Sequence, residues 1–372
     1  MRFAEVVGHG VQKNLLTRAV NEGRIAHAQL FLGPDGAGAL PLAMAYIQYV
    51  LCNHKTEEDS CGTCPSCKKV SGLAHPDIHW IFPFVSDGST DVCANHMEDF
   101  RKAVQKEPYM NLGDWLAFTG NGAKQPQINV ATAHSIFHAL SMKPYEAPVQ
   151  VMMIWYPELL QVAAANKLLK IIEEPPADTL FILISANDDR ILPTILSRTQ
   201  LVKLSKINDF DMLTVLSEQY GVELERGREL VNMADGDFAR AKRLVNMEDD
   251  HGAYLGFFQE WMRACYSGTF QHVVRLSDDF GKMGRDQQKA VVEYGLYLMR
   301  ESLMFNSGAD VLRITEKERH WLSRFAPVLT EDKLMATVEA MEKSVFHLAR
   351  NAYAKLEFTA LSLHIHRAFR QG

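Results

Sequence analysis

Along the first 205 residues, short unbroken apolar runs alternate with longer segments whose apolar residues recur every three or four positions. "QLFL" (29–32), "DIHWIFPF" (77–84), "VQVMMIW" (149–155) and "TLFILISAN" (179–187) are runs of the first kind and read as buried strands. Residues 6–25, containing "VQKNLLTRAVNEGRI", have helical spacing, as does the stretch from about Leu40 to Leu51. "INVATAHSIFHALSMKP" reads as a helix ended by Pro144. "PELLQVAAANKLLKIIEEPP" reads as one stopped by Pro175 and Pro176. Strand–helix alternation of this kind predicts a doubly wound α/β domain with a parallel sheet over residues 1–205. Beyond it no clear strand is legible. A small helical domain is expected over 206–262 and a longer helical bundle over 263–372. Residues 86–126 are polar and Gly-rich and carry no legible element, and the placement of 86–124 in the α/β domain suggests a surface excursion. There is no internal repeat and no low-complexity tract.

Composition narrows the class. The chain of 372 residues is 47% hydrophobic and 23% charged, with a net charge of −6. That acidity argues against broad electrostatic coating of DNA or acidic membranes, so any nucleic-acid contact is local. No apolar run approaches the roughly 20 residues that span a bilayer. The segment "MRFAEVVGHG" lacks the apolar core of a signal peptide, so a cytoplasmic location is expected.

Four of the six cysteines fall within sixteen residues: Cys52, Cys61, Cys64 and Cys67, spaced C-x8-C-x2-C-x2-C. In a reducing compartment such clustering points to a metal rather than to disulfides. Four thiolates suit tetrahedral zinc and leave no coordination position open, so the expected role is structural. "CGTCPSC" supplies the tight turns and small residues a metal knuckle needs. The alternatives are four free thiols on a polar loop, or a set in which His54 or His75 replaces one sulfur. Cys93 and Cys265 stand alone and read as ordinary residues.

A second motif sits after the first strand. Gly33, Gly36 and Gly38 form a glycine-rich turn, and Gly33 and Gly38 have the spacing of the phosphate-binding pattern G-x-x-x-x-G-K-[ST]. Ala39 and Leu40 replace the Lys that reaches the β and γ phosphates and the hydroxyl residue that binds magnesium. Where the strand at 149–155 should end in magnesium-holding acids stand Trp155 and Tyr156, with Glu158 two residues on, at the expected start of the next helix. Loss of both motifs predicts a nucleotide fold that has kept its architecture and abandoned hydrolysis, its glycines serving as a tight strand-to-helix turn. One charged motif survives: Ser197, Arg198 and Thr199 follow a short helix. A planar guanidinium suits the γ-phosphate of a nucleotide held by a neighbour. The alternative is a surface arginine capping a helix C-terminus.

Taken together, "HAQLFLGPDGAG", the four-cysteine insert, "SMKPYEAPVQVMMI", "AAANKLLKIIEEPPADTLFILISAN" and "ILPTILSRTQ" resemble the clamp-loader branch of the AAA+ proteins. Within it they look most like the delta-prime subunits of bacterial DNA polymerase III. "RNAYAKLEFTALSL" is similar to the end of that family's helical collar. The resemblance is clear over roughly 1–85 and 125–205, weak over 86–124 and architectural beyond. It implies an AAA+ domain with a zinc insert at 52–67, a helical lid and a collar. It also implies a subunit without a working ATP site. The family's Ser-Arg-Cys motif falls on Ser197, Arg198 and Thr199, with Arg198 as an arginine finger acting in trans. Ser185, Ala186 and Asn187 match its first sensor, and Arg240 its second. Partners implied are gamma/tau-type ATPase subunits and a delta subunit in a five-subunit ring, which meets the sliding clamp and primer–template DNA, with no membrane.

Two other readings compete. One is an active ATPase using unusual residues, which the missing Lys and acids disfavour. The other is a zinc-dependent nucleic-acid-binding module. It is disfavoured because only Lys55, Lys68 and Lys69 lie near the cysteines, against Glu57, Glu58 and Asp59. Lys167, Lys170 and Lys203 are candidate DNA-backbone contacts or, equally, parts of a solvated helix face beside Glu173 and Glu174.

Overall fold

The computed structural model describes residues 1–370 except 87, 89, 122–123, 141, 188, 190, 247–249, 309–313 and 350–351. It describes the backbone alone at 136–138, 246, 250–253, 285–286 and 349. The described residues form two compact units, 1–224 with 234–242, and 225–233 with 243–372. Residues 206–262 are thus divided between the two.

The first unit is built on five parallel strands, β1 (Ala28–Leu32), β2 (Ile78–Ile81), β3 (Gln150–Trp155), β4 (Thr179–Ser185) and β5 (Gln200–Lys203), in the order β2-β3-β4-β1-β5. Register is fixed by pairs such as Leu30↔Leu183 and Met153↔Ile182. Every residue of β1, β3 and β4 is buried, which is why they read as continuous apolar runs. Alternation then divides their side chains between two layers. Met153 and Ile182 join one core with Tyr46 and Tyr49 of α2 (Ala39–Leu51). Met152, Ile154 and Leu183 join another with Leu168 and Ile172 of α7 (Val162–Glu173). The edge strand β5 has mostly exposed side chains, and its sequence "QLVK" gives no apolar run to find it by.

The remaining helices of this unit are α1 (Gly10–Asn21), α3 (Pro65–Ser71), α4 (Met97–Lys106), α5 (Leu112–Phe118), α6 (Val130–Leu140), α8 (Pro193–Leu196) and α9 (Asp209–Tyr220). Pro157 starts a separate 3-10 turn, Pro157–Leu159, and α7 begins only at Val162, so Glu158 lies outside that helix. Asn129 caps α6 by accepting from the Thr132 N–H at 2.9 Å. The tail of that predicted helix, at Ser141, lies outside the described residues.

The described residues of 86–124 do not form a surface excursion. Helices α4 and α5 bury Phe100 and Trp115, each only 1% exposed. Phe100 stacks on Phe82 at 3.9 Å, and the Trp115 indole N–H donates to the Pro83 carbonyl at 2.7 Å. The apolar positions of α4, Met97, Phe100, Ala103 and Val104, do recur at helical spacing within an otherwise polar stretch, whereas α5 spans only seven residues.

Helices α10 (Leu224–Ala234) and α11 (Phe238–Asn246) follow, with residues 225–233 and 243–246 assigned to the second unit. The second unit continues through α12 (Asp250–Ser267), α13 (Phe270–Lys282), α14 (Arg285–Asn306), α15 (Glu316–Phe325), α16 (Glu331–Ala349) and α17 (Ala354–Arg370). Its core is aromatic: Trp261 packs 4.6 Å from Phe358, which stacks on Phe280 at 4.4 Å. The Trp261 indole N–H is satisfied by Ser362 Oγ at 2.8 Å, as a buried indole requires. Among the described residues no helix is long and apolar enough to cross a membrane.

Candidate functional site

The cysteine cluster is assembled by two helix ends. Cys52 ends α2, and Cys64 precedes α3, where Pro65 takes the first helical position. Ser66 Oγ donates to the Leu51 carbonyl at 2.8 Å and ties the helices together. Gly62, at φ +71°, makes the turn between Cys61 and Cys64. The four Sγ atoms of Cys52, Cys61, Cys64 and Cys67 lie within 4.8 Å of one another, with Cys61 and Cys67 3.9 Å apart. Tetrahedral zinc with Zn–S bonds of about 2.3 Å needs sulfurs separated by about 3.8 Å, so this donor set fits the ion. Backbone N–H groups already point at the sulfurs: Cys61 to Cys52 at 3.3 Å, Cys64 to Cys61 at 3.3 Å and Cys67 to Cys64 at 3.4 Å. The N–H groups of Thr63 and Cys64 hold the Cys61 thiol down to about 6, so it is readily a thiolate. His75 is engaged elsewhere, its Nε2 3.3 Å from Glu146. Neither His54 nor His75 joins the group. Cys93 and Cys265 are buried single thiols.

The glycine-rich turn joins β1 to α2, where a phosphate would sit, but its surroundings are this chain's own side chains. Gly36 has φ +73°, and a Cβ there would lie 1.9 Å from Asp237 Oδ1. The Gly36 carbonyl accepts from the Phe238 N–H at 3.1 Å. Asp237 also caps α11 by accepting from the Arg240 N–H at 2.9 Å. Gly38, at φ +93°, leaves a Cβ only 3.0 Å from the Tyr109 ring. Gly33 lies against Leu204, 2.7 Å from a notional Cβ. The glycines are thus explained by close packing of Asp237, Tyr109 and Leu204. The remaining space has a volume of about 30 Å³. That is room for a water or two, against the several hundred Å³ of a typical ligand pocket.

The residues in the positions of the missing acids complete this packing. Trp155 is 3% exposed and sits 5.6 Å from Phe100. Tyr156, at φ +55°, donates its hydroxyl to Asp35 Oδ1 at 2.6 Å and accepts from the Leu112 N–H at 3.2 Å. Burial raises the Asp35 carboxyl above its ordinary value and the Tyr156 phenol well above its own. Glu158 accepts from Ser185 Oγ at 2.8 Å, and Asn187 donates its N–H to the same hydroxyl at 3.2 Å. Tyr156 stands at the position where the sequence already showed the acids to be missing, whereas Tyr109 and Asp237 belong to segments in which no nucleotide motif marks them as contents of this site.

Arg198 follows α8 and is part exposed. Its guanidinium pairs with Glu173 of α7 at 2.6 Å and donates to the Thr194 carbonyl at 3.0 Å and to Ser197 Oγ at 3.1 Å. The contact with the Thr194 carbonyl is the helix C-terminal cap that stood as the alternative to a finger. Lys167 Nζ lies 2.7 Å from His134 Nε2, while Lys170 and Lys203 are exposed.

Comparison with known proteins adds what geometry cannot. Residues 8–208 match the family model described as "DNA polymerase III, delta subunit". The DNA polymerase III subunit tau of Bacillus subtilis is 26% identical over 341 residues, 85% of this chain and 52% of that one. The delta' subunit of the same organism is 27% identical over 221 residues, 59% and 54% of the two chains. The delta' subunit of Pseudomonas aeruginosa is 28% identical over 188 residues, 50% and 45%. The chain spans about half the length of these relatives. With more than half of its length matched by the family model, the chain belongs to the DNA polymerase III delta-subunit family.

Proposed function

We propose that this chain is a non-hydrolysing, delta-prime-type subunit of a clamp loader, which supports ATP-dependent loading of a sliding clamp on primer–template DNA. Its partners in this reading are gamma/tau-type ATPase subunits and a delta subunit in a five-subunit ring, with the helical residues 263–372 as its collar. The observation that carries the reading is the filled phosphate loop: Phe238 and Asp237 occupy Gly36, and no lysine stands at position 39.

In this reading Arg198 acts in trans. Its guanidinium leaves Glu173 and takes the γ-phosphate of the adjacent subunit's ATP, exchanging one carboxylate for a more highly charged partner. There it stabilises charge developing on the transferred phosphoryl group, a contribution of about 10³–10⁵ in rate for arginine fingers generally. Thr194, by accepting from the same guanidinium, keeps it at the domain edge. Cys52, Cys61, Cys64 and Cys67 would hold a structural zinc that clips residues 52–67 onto the end of α2; bound there, the ion supplies cross-linking and no reaction chemistry.

Two experiments test the reading. Titrating the purified chain with ATP and magnesium should give neither heat of binding nor turnover; micromolar binding with turnover would make it an ATPase in its own right. Arg198→Ala in the assembled complex should lower DNA-stimulated ATP turnover while leaving assembly intact. Unchanged turnover would remove the finger role.

A further inference from the structure

The second unit carries an open groove of about 360 Å³. Two lines of side chains form it. Gln259, Met262, Arg263 and Tyr266 follow one face of α12. Trp321, Arg324, Phe325 and Val328 follow one face of α15 and of the 3-10 turn Ala326–Val328 after it. Both lines have the spacing i, i+3, i+4, i+7, so each runs along two helical turns, about 10 Å. Met262, Leu329 and Phe369 are buried beneath them. Trp321 stacks on Phe325 at 4.4 Å, and Tyr266 sits 6.2 Å from Phe369. Tyr266 and Val328 nevertheless stay 58% and 44% exposed.

Every charged residue among those lining the groove is basic: Arg263, Arg324 and Lys333. The chain as a whole is acidic, with 45 Asp and Glu against 39 Lys and Arg, so the groove reverses the sign of its surroundings. Acids near it along the chain are engaged or directed elsewhere. Glu260 pairs with Arg275 at 3.1 Å, and Glu318 accepts from the Tyr294 hydroxyl and the Thr315 N–H. Glu331 and Asp332, in the first turn of α16, do not line the groove. Trp, Tyr, Phe, Met and Arg are the side chains enriched in protein interfaces, and all five line this groove. A groove between two helix faces, with anchors at helical spacing, suits an amphipathic helix. Its basic rim sets the charge of that helix: acidic flanks find counter-ions there, and basic flanks meet like charge.

We infer that this groove is a docking site for an acidic amphipathic helix of another protein. The helix inserts an apolar face between Tyr266, Trp321, Phe325 and Val328, and its Asp and Glu side chains meet Arg263, Arg324 and Lys333. The inference uses nothing from the phosphate loop, the cysteines or Arg198, and it holds whether or not the chain is a clamp-loader subunit.

The test is fluorescence anisotropy of the full-length chain with a labelled peptide that repeats Glu-Glu-Leu-Glu-Glu-Leu-Leu twice, which spaces its leucines as the groove spaces its anchors. Two control peptides replace every Glu by Lys, or every Leu by Ser. The expected result is saturable micromolar binding of the first peptide, weakened about tenfold or more in Arg263→Glu and by a smaller factor in Val328→Ser. Neither control should bind as tightly. Both substituted positions are exposed, so both variants should keep the unfolding midpoint near wild type, and either alone carries the test if the other fails to fold. No saturable binding with the chain at hundreds of micromolar would overturn the inference. Affinity unchanged by both substitutions, or equalled by either control peptide, would also overturn it. Sedimentation of the chain alone tests the other occupant. A dimer that Arg263→Glu dissociates would make the groove a contact between copies of this chain and overturn the inference. Loss of peptide binding on assembly with the ring subunits proposed above would make it a seam of that ring, with the same consequence.

Discussion

Gly36 and Gly23 both have positive φ, +73° and +67°, but only Gly36 faces a neighbour, since nothing lies within 4 Å of a notional Cβ at Gly23. Replacing Gly23 by Ala therefore measures backbone strain alone, a cost of about 1 kcal/mol. Gly36→Ala adds the collision with Asp237 and should cost more, about 2–4 kcal/mol in chemical unfolding. Equal costs at the two sites would mean that Asp237 does not pack on the loop as described. Asp77 offers a pH test. Burial pushes its carboxyl up, but the N–H groups of Tyr145, Glu146 and Ala147 more than offset this, and it titrates below its ordinary value of 3.8. The folded state thus binds this proton less readily than the unfolded one. Its stabilisation is full above the unfolded value and is lost as pH falls through the folded one. Asp77→Asn should lower stability at neutral pH and flatten the stability–pH curve below about pH 4. An unchanged acid limb in the variant would show that other carboxylates carry it.

At the scale of elements, the telling pair is α4 and α5. Both are short, yet Phe82, Phe100 and Trp115 form one aromatic cluster, with Trp115 edge-on to the other two rings at 5.5 Å. If that cluster is core, Trp115→Ala should destabilise the first unit by about 3–5 kcal/mol, read as a lowered unfolding midpoint. A loss below about 1 kcal/mol, typical of surface positions, would return this segment to the periphery. The same scale explains the loop between α2 and α3. Its polar residues have no apolar core of their own, and polar contacts hold it: the cysteines and Ser66, hydrogen bonds from Asn21, Gln48 and Tyr49 to Glu57, Ser60 and Thr56, and the Asp59 carboxylate. Asp59 accepts from the N–H groups of Phe3 and Ala4 at 3.0 Å each.

For the whole molecule, a metal held by the four cysteines would make metal content a stability variable. Purified chain should carry one zinc by elemental analysis, and Cys64→Ser should lose it. Stripping the ion with a chelator should lower the thermal midpoint and expose residues 52–67 to protease, because the metal replaces a hydrophobic core there. A midpoint and a cleavage pattern indifferent to chelation would argue for four free thiols. The aromatic core of the second unit shares nothing with the knuckle. Its unfolding, followed separately, should be insensitive to the metal.

Much of the fold is legible in the chain itself. Strands buried on both faces must be apolar throughout, so β1, β3 and β4 could be read directly. Tetrahedral zinc demands thiols at short spacing, so the cysteine cluster was visible as a motif. The absence of Lys at position 39 and of acids at 155 and 156 is a fact of composition that no folding can reverse. What the sequence could not give was whatever depends on distant residues meeting. The edge strand β5 is defined by its pairing with β1 rather than by its own residues. The core role of 86–126 rests on rings supplied by three separate segments. Above all, that Tyr109, Tyr156 and Asp237 fill the loop, and that Glu173 holds Arg198, was decided by tertiary packing. Those contacts join residues between 25 and 201 positions apart, and no local pattern encodes a contact at that separation.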